Sequence, residues 1–317
     1  MLGRWLLSLF CLALSATALS PPTSRTTPPT GALIVRAGTT TSGEFATLAK
    51  AVAALPADSS SQTIFLYPGT YTGQVLIQRS GPVTLLGYST KPGDANQNQA
   101  VLTAGVSATQ AGSDDLSGTL RIHTDRVAIY NLDIHNTFGQ GSQAIALSNY
   151  GNQVGVYGCR LFGYQDTLLT EQGLHVYLQG YIEGAVDFIF GQTRRTSNDA
   201  GIYLFNSNKV QLTSGAASNT AGNFFLGRPW GDFARVIFKG TTVTATINPA
   251  LWSIWNKGDP RTDDVVYGDF GTTGAGATSL ARAGFSTELS ASQAATYTIS
   301  SALGSSYTSW VDTAWLI

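Results

Sequence analysis

The sequence predicts an all-β fold, a three-sided parallel β-helix with one short helix at its start, and three observations carry that prediction. Short apolar runs separated by Gly, Asn, Asp or Pro recur along the chain, at residues 63–67, 83–86, 127–134, 144–148 and 154–157. Little chain is left between them for crossover helices, which disfavours a doubly wound sheet or a βα barrel. Similar phrases return at a fixed period: Gln143 and Gln165 are 22 residues apart, and Asp166 and Asp187 are 21 apart. The phrases Gly158-Cys159-Arg160-Leu161-Phe162-Gly163 and Gly180-Tyr181-Ile182-Glu183-Gly184 also begin 22 residues apart. One coil of a β-helix takes about that many residues, and stacked coils lie about 4.8 Å apart, so residues one period apart become neighbours on one face. Finally, 35 glycines and a charged fraction of 12% suit a β-rich chain better than a helical bundle or a disordered one. An antiparallel sandwich is the competing architecture, but no Asn-Gly or Asp-Gly turn joins alternating runs.

Taken in chain order, Arg4, the apolar run 5–13 and the small residues Ala16, Thr17 and Ala18 read as a secretory signal over residues 1–18. Ser8, Ser15 and Thr17 interrupt the run well short of the ~20 apolar residues a membrane anchor needs. Cys11 leaves with the signal, so Cys159 has no partner for an intramolecular disulfide. The expected product is secreted, extracellular and soluble. Residues 19–31 form a Pro/Ser/Thr-rich tail, either O-glycosylated or loose, and 32–317 form a single catalytic domain. Within that domain Phe45, Leu48, Ala49, Val52 and Leu55 share a face at helical spacing over 42–55, and Pro56 ends the pattern. Such a helix would cap the open end of the solenoid. With 18 basic and 19 acidic residues the net charge is −1, so there is no basic excess for nucleic acid, and no later stretch spans a membrane.

Asp166 and Asp187, one coil apart, bring two carboxylates close enough for their titrations to interact, so one can serve as nucleophile and the other as general acid. Both lie in apolar phrases, where an unpartnered ionisable group is costly. Turn aspartates of a solenoid give the same spacing. Gln143 and Gln165 either supply amide donors to a developing oxyanion or belong to a polar ladder. Arg228 suits bidentate pairing with a carboxylate and Trp230 suits stacking on a sugar ring, or the two decorate an ordinary turn. Trp252 and Trp255 offer a second sugar platform or core aromatics. Serine-triad and zinc chemistry have little support: there is no Gly-x-Ser-x-Gly, no His-Glu-x-x-His, and only His123, His135 and His175.

Four ordered blocks then carry a family resemblance: Gln143-Ala144-Ile145-Ala146-Leu147, Gly163-Tyr164-Gln165-Asp166-Thr167-Leu168, Gly184-Ala185-Val186-Asp187-Phe188-Ile189-Phe190-Gly191 and Leu226-Gly227-Arg228-Pro229-Trp230. The sequence resembles the pectin methylesterase (pectinesterase) family, its fungal members most, over nearly the whole mature chain. The resemblance implies a right-handed parallel β-helix that hydrolyses the C6 methyl ester of galacturonate in pectin and releases methanol. It implies Asp187 as nucleophile, Asp166 as general acid and then base, Gln143 and Gln165 as the oxyanion hole, and Arg228 as the group orienting Asp187. Trp230, Tyr164, Phe188 and Trp252 would line sugar subsites. Neither metal nor organic cofactor is implied, and the partner is methylated homogalacturonan, met by a monomer.

The interval from Asp187 to Arg228 is 41 residues, about one coil shorter than the family pattern. A lost coil would move Arg228 by about 4.8 Å along the axis. That leaves as alternatives a compensating loop, a missing coding segment, or a catalytically impaired homologue that only binds pectin. Two further readings are a glycosidase drawing on Asp114 and Asp115, whose inverting form needs carboxyl groups about 6.5–9.5 Å apart, and a calcium-dependent lyase, for which no dense acidic run exists.

Overall fold

In the computed structural model, which describes residues 23–191, 196, 198 and 201–316, the chain winds through three parallel sheets in turn. One coil shows the path: Val154–Tyr157 lies in the first sheet, Arg160–Phe162 in the second and Leu168–Thr170 in the third. The next coil returns with His175–Leu178, Tyr181–Glu183 and Ile189–Gly191, each paired in parallel with its predecessor. The sheets hold seven, five and five strands. Beyond them, Tyr203–Asn206, Arg235–Lys239, Val266–Phe270 and Ser286–Glu288 build a further parallel sheet of four, beside the pair Lys209–Val210 and Thr242–Val243.

Period-two patterning fills the interior. Leu85, Ile129 and Val156 from the first sheet meet Leu102, Ile134 and Leu161 from the second and Ile122, Leu147 and Leu168 from the third in one buried cluster. Corners are set by residues in the left-handed region, one per coil: Asn131 (φ 51°), Gly158 (57°) and Gln179 (51°). The apolar run 127–134 is therefore not one strand but two, Val127–Tyr130 and Leu132–Asn136, hinged at Asn131. Asn tolerates that backbone, and its buried amide donates to Pro92 O (2.9 Å) and Asn98 Oδ1 (3.2 Å).

The helix expected over 42–55 occupies only Leu48–Ala53, started by Thr47, whose hydroxyl accepts from Lys50 N. Upstream, Glu44–Phe45 pairs with Leu33–Val35 instead, and the Arg36 guanidinium (2.9 Å) and Thr39 hydroxyl (2.6 Å) hold the Glu44 carboxylate. Leu48 and Ala51 bury into the main core. Both ends of the described chain depart from a bare solenoid. Arg25 exchanges backbone bonds with Ser89 (2.8 and 3.0 Å) and lies over the Tyr130 ring, so the expected loose tail is tied down there. Residues 290–316, unanticipated as helical, form Ala291–Thr296, Ile299–Leu303 and short 3-10 turns. Their end buries Val311 and Trp315 against Tyr157 and Val176 on the outside of the first sheet. The signal region with Cys11 lies outside the described residues; Cys159 is buried and unpaired. Among the described residues no helix is long and apolar enough to cross a membrane.

Candidate active site

The two sequence periods, 22 and 21, are both real, and the ladder explains the difference. The Gln165–Val186 bridge and the bond from Asp166 N to Val186 O (3.0 Å) set Asp166 beside Asp187 at an offset of 21. One coil earlier, Ala144 N donates to Gln165 O (3.0 Å), the parallel-ladder bond that lays Gln143 beside Gln165 at an offset of 22. The register then slips by one: Thr167 O accepts from both Ala146 N (2.8 Å) and Leu147 N (3.3 Å), after which Leu147 faces Leu168. The extra residue is a bulge at the rim of the site.

Asp166 (φ 65°) and Asp187 (φ 41°) both take the left-handed backbone on stacked rungs, so their side chains leave the corner in the same sense. Their surroundings then diverge. Asp166 is 8% exposed, and burial first, with the charges of Asp187 and Asp114 after it, pushes its carboxyl up to about 7 against a smaller opposing pull from Arg228. Asp187 keeps a third of its side chain open and is gripped by the Arg228 fork, with Nε to Oδ1 at 3.1 Å and Nη2 to Oδ2 closer still. That contact in turn pushes the Arg228 guanidinium further up.

The short interval therefore does not displace Arg228 from Asp187. The segment leading into Arg228 is stitched to the following coil by Leu226 N to Leu251 O (2.8 Å), the Gly227–Trp252 bridge and Ser253 N to Gly227 O (3.1 Å). Gln143 is half-buried, and its Oε1 accepts from the Ser142 hydroxyl (3.4 Å), which leaves its amide N–H groups for another acceptor.

A cleft of about 200 Å³ is lined by Asp114, Asp115, Tyr150, Glu171, Phe190 and Trp230, and neither Asp166 nor Asp187 is among its walls. Trp230 is 40% exposed with its ring 5.9 Å from Phe190, Phe188 is 36% exposed, and Tyr164 is half-buried. Trp252 is not a cleft wall. It is 2% exposed and packs between Phe238 (5.7 Å) and Tyr267 (4.4 Å), because the second half of the solenoid needs a large residue to fill its interior. Asp115 is not available for glycosidase chemistry either: although burial opposes its ionisation, hydrogen bonds from Arg121, His123 and Ser148 outweigh that and hold its carboxyl down to about 2. The sequence reading missed Asp114 as a charge facing Asp166 and Trp255 as the support of Arg228, whose Cζ lies 4.4 Å from the Trp255 ring.

The sequence matches the family profile described as Pectinesterase over residues 34–197 and 192–306. The chain belongs to the pectinesterase family. Among curated relatives it is 39% identical to a pectinesterase of Aspergillus aculeatus, covering 92% of this chain and 94% of the relative. A pectinesterase of Aspergillus niger is 37% identical, with 95% and 96% covered. The crystal structure of the Aspergillus niger pectin methylesterase superposes with a TM-score of 0.82 at 32% identity, covering 91% of this chain and 99% of that one. The carrot pectin methylesterase does so at 0.78 and 25%, with 92% and 97% covered. These likenesses fit the parallel β-helix built above, which is the scaffold of a pectinesterase-family ester hydrolase.

Proposed function

We propose that the protein hydrolyses the methyl esters of pectin through the stacked pair Asp187 and Asp166. The supporting observation is the asymmetry of that pair on neighbouring rungs, one carboxylate held open by an arginine fork and the other sheltered with its carboxyl pushed up to about 7. An Asp187 oxygen attacks the C6 carbonyl, and the oxyanion that forms is met by the amides of Gln143 and Gln165. Collapse breaks the bond to the methoxy oxygen, which leaves as methanol with the proton of Asp166. Asp166, now ionised, takes a proton from water as that water opens the acyl-enzyme anhydride, and the galacturonate carboxylate departs. Arg228 orients Asp187 throughout, while Trp230, with Phe188 and Tyr164 beside the site, serves the flanking sugars. The fork on Asp187 argues against an impaired, merely pectin-binding relative.

We infer a secreted monomer whose residues 1–18 are removed on export and whose solenoid acts as one catalytic unit. The experiment is methanol release from highly methylated pectin, read beside reducing ends. Methanol without new reducing ends supports esterase action, whereas reducing ends without methanol, or binding with neither, overturns it.

A further inference from the structure

Arg228 is held by more than Asp187. Its Nη1 donates to Trp255 O (3.4 Å), and its Cζ lies over the Trp255 ring at 4.4 Å. A second guanidinium, that of Arg261, lies over the same indole at 5.0 Å. Arg261 also donates through Nη1 to the carbonyl of Trp230, and its Nε bonds Asp259 Oδ2 at 2.7 Å. Its backbone is left-handed, with φ 55°. For a long, branched-headed side chain directly after Pro260 that conformation is costly, and it persists only where surrounding contacts over-determine it. The surroundings here do so: Asn256 and Asp259 exchange backbone bonds (3.3 Å each), Asn256 Oδ1 accepts from Gly258 N (3.0 Å) and Asp259 N (2.9 Å), and Trp255 N donates to Pro260 O (3.2 Å). The loop from Trp255 to Arg261 is thus a closed clamp. It grips the segment Arg228-Pro229-Trp230 at two points, the guanidinium that orients Asp187 and the carbonyl of the exposed Trp230.

We propose that Arg261 is a positioning residue for the reaction described above: by fixing the Trp230 backbone and the Trp255 ring together, it sets the distance between the sugar platform and the fork on Asp187. It touches neither substrate nor reacting atoms. The inference rests on the esterase reading, and it gives Arg261 a signature that a purely structural residue lacks. Because Arg261 acts through Arg228, the two losses are strongly non-additive. Because it also holds Trp230, substrate affinity falls together with turnover.

The test compares wild type, Arg261→Ala, Arg228→Ala and the double variant for kcat and KM on methylated pectin. Arg261→Ala is expected to lower kcat about tenfold and raise KM several-fold, and in the Arg228→Ala background to lower kcat by less than about twofold. Kinetics within twofold of wild type, or a full tenfold loss on top of Arg228→Ala, overturns the proposal. If Arg261→Ala does not fold, Arg261→Lys is read instead. It keeps a cation over the indole but cannot reach Asp259 and the Trp230 carbonyl at once, so kcat several-fold low supports the role and wild-type kcat rejects it. Affinity for a methylated hexagalacturonide, measured in an Asp187→Asn background, separates this inference from the reading beneath it. A wild-type protein that releases no methanol defeats the esterase reading, while the affinity change on adding Arg261→Ala still decides the clamp: several-fold weaker binding supports it and unchanged binding overturns it.

Discussion

Two identical side chains on neighbouring rungs, Asp166 and Asp187, sit in contrasting environments. Asp166 sits 8% exposed with its carboxyl pushed up to about 7 by burial and by the charges of Asp187 and Asp114. The proposed acid must hold its proton until methanol leaves, so kcat/KM is expected to fall as pH rises through about 7, which a pH profile checks. Replacing Asp114 with Asn removes one repelling charge, and the alkaline limb should move to lower pH; an unmoved limb would separate Asp114 from the acid. The same shift governs stability. A carboxyl raised from an unfolded value of ~3.9 imposes no penalty below about pH 4, and the penalty grows as pH rises through the folded value and is full above it. Asp166→Asn should therefore stabilise the fold at pH 8, by at most about 4 kcal/mol, and not at pH 4. Denaturant midpoints at the two pH values decide this. The layout of the proposed site was largely legible in the sequence, because the ladder keeps Asp166 beside Asp187 and Gln143 beside Gln165 at the spacings read there; the position of Arg228 was not, since its 41-residue interval pointed to a displacement and only the fork on Asp187 places it. What stayed hidden was the partnering: nothing in Asp114-Asp115 told that one carboxyl is tied to Arg121 and His123 while its neighbour faces Asp166.

Strands and corners divide in a similar way. The coil period was readable because inward positions repeat, and Val154–Tyr157 came out with the bounds expected. The hinge at Asn131 was not, since it lies inside an unbroken apolar run and is revealed only by its φ of 51° and its buried bonds. Trp252 and Trp255 lie three residues apart and met opposite fates, one in the core and one under Arg228. Composition does not separate them; the Gly227–Trp252 bridge does, by fixing which residue of the segment joins the ladder. Their alanine variants should dissociate. Trp252→Ala opens a core cavity and is expected to cost about 3–5 kcal/mol in denaturant unfolding. Trp255→Ala should leave stability closer to wild type and lower kcat by an order of magnitude or more, because the Arg228 fork loses its support. Equal stability losses would contradict the division.

Across the whole molecule, the solenoid needs covers that a repeat-based reading does not supply. The terminal segment covers the outer face of the first sheet, with Asp312 N donating to Tyr157 Oη (2.9 Å), Tyr130 Oη to Asp312 Oδ2 (3.1 Å) and Gln179 Nε2 to Trp315 O (2.8 Å). Its short helices escaped the sequence because their apolar residues are few and fit an outer surface rather than a periodic core. Truncation after Gly304 would expose Tyr157 and Val176, and a lower thermal midpoint with reduced soluble yield is the expected outcome. The balance of charge has a whole-molecule consequence too. With a net charge of −1 the protein has no basic field with which to draw in a polyanion, so KM for pectin should change less than about threefold between 50 and 200 mM salt.

In the proposed reaction Asp187 forms a bond to the substrate while Asp166, one rung away, supplies the proton. Rapid-quench mass spectrometry on a methylated oligogalacturonide tests this most directly. The expected result is a transient galacturonoyl adduct on the peptide that holds Asp187, formed with the burst of methanol and absent from Asp187→Asn. Methanol released at the wild-type rate by folded Asp187→Asn, with no adduct in either protein, would contradict it.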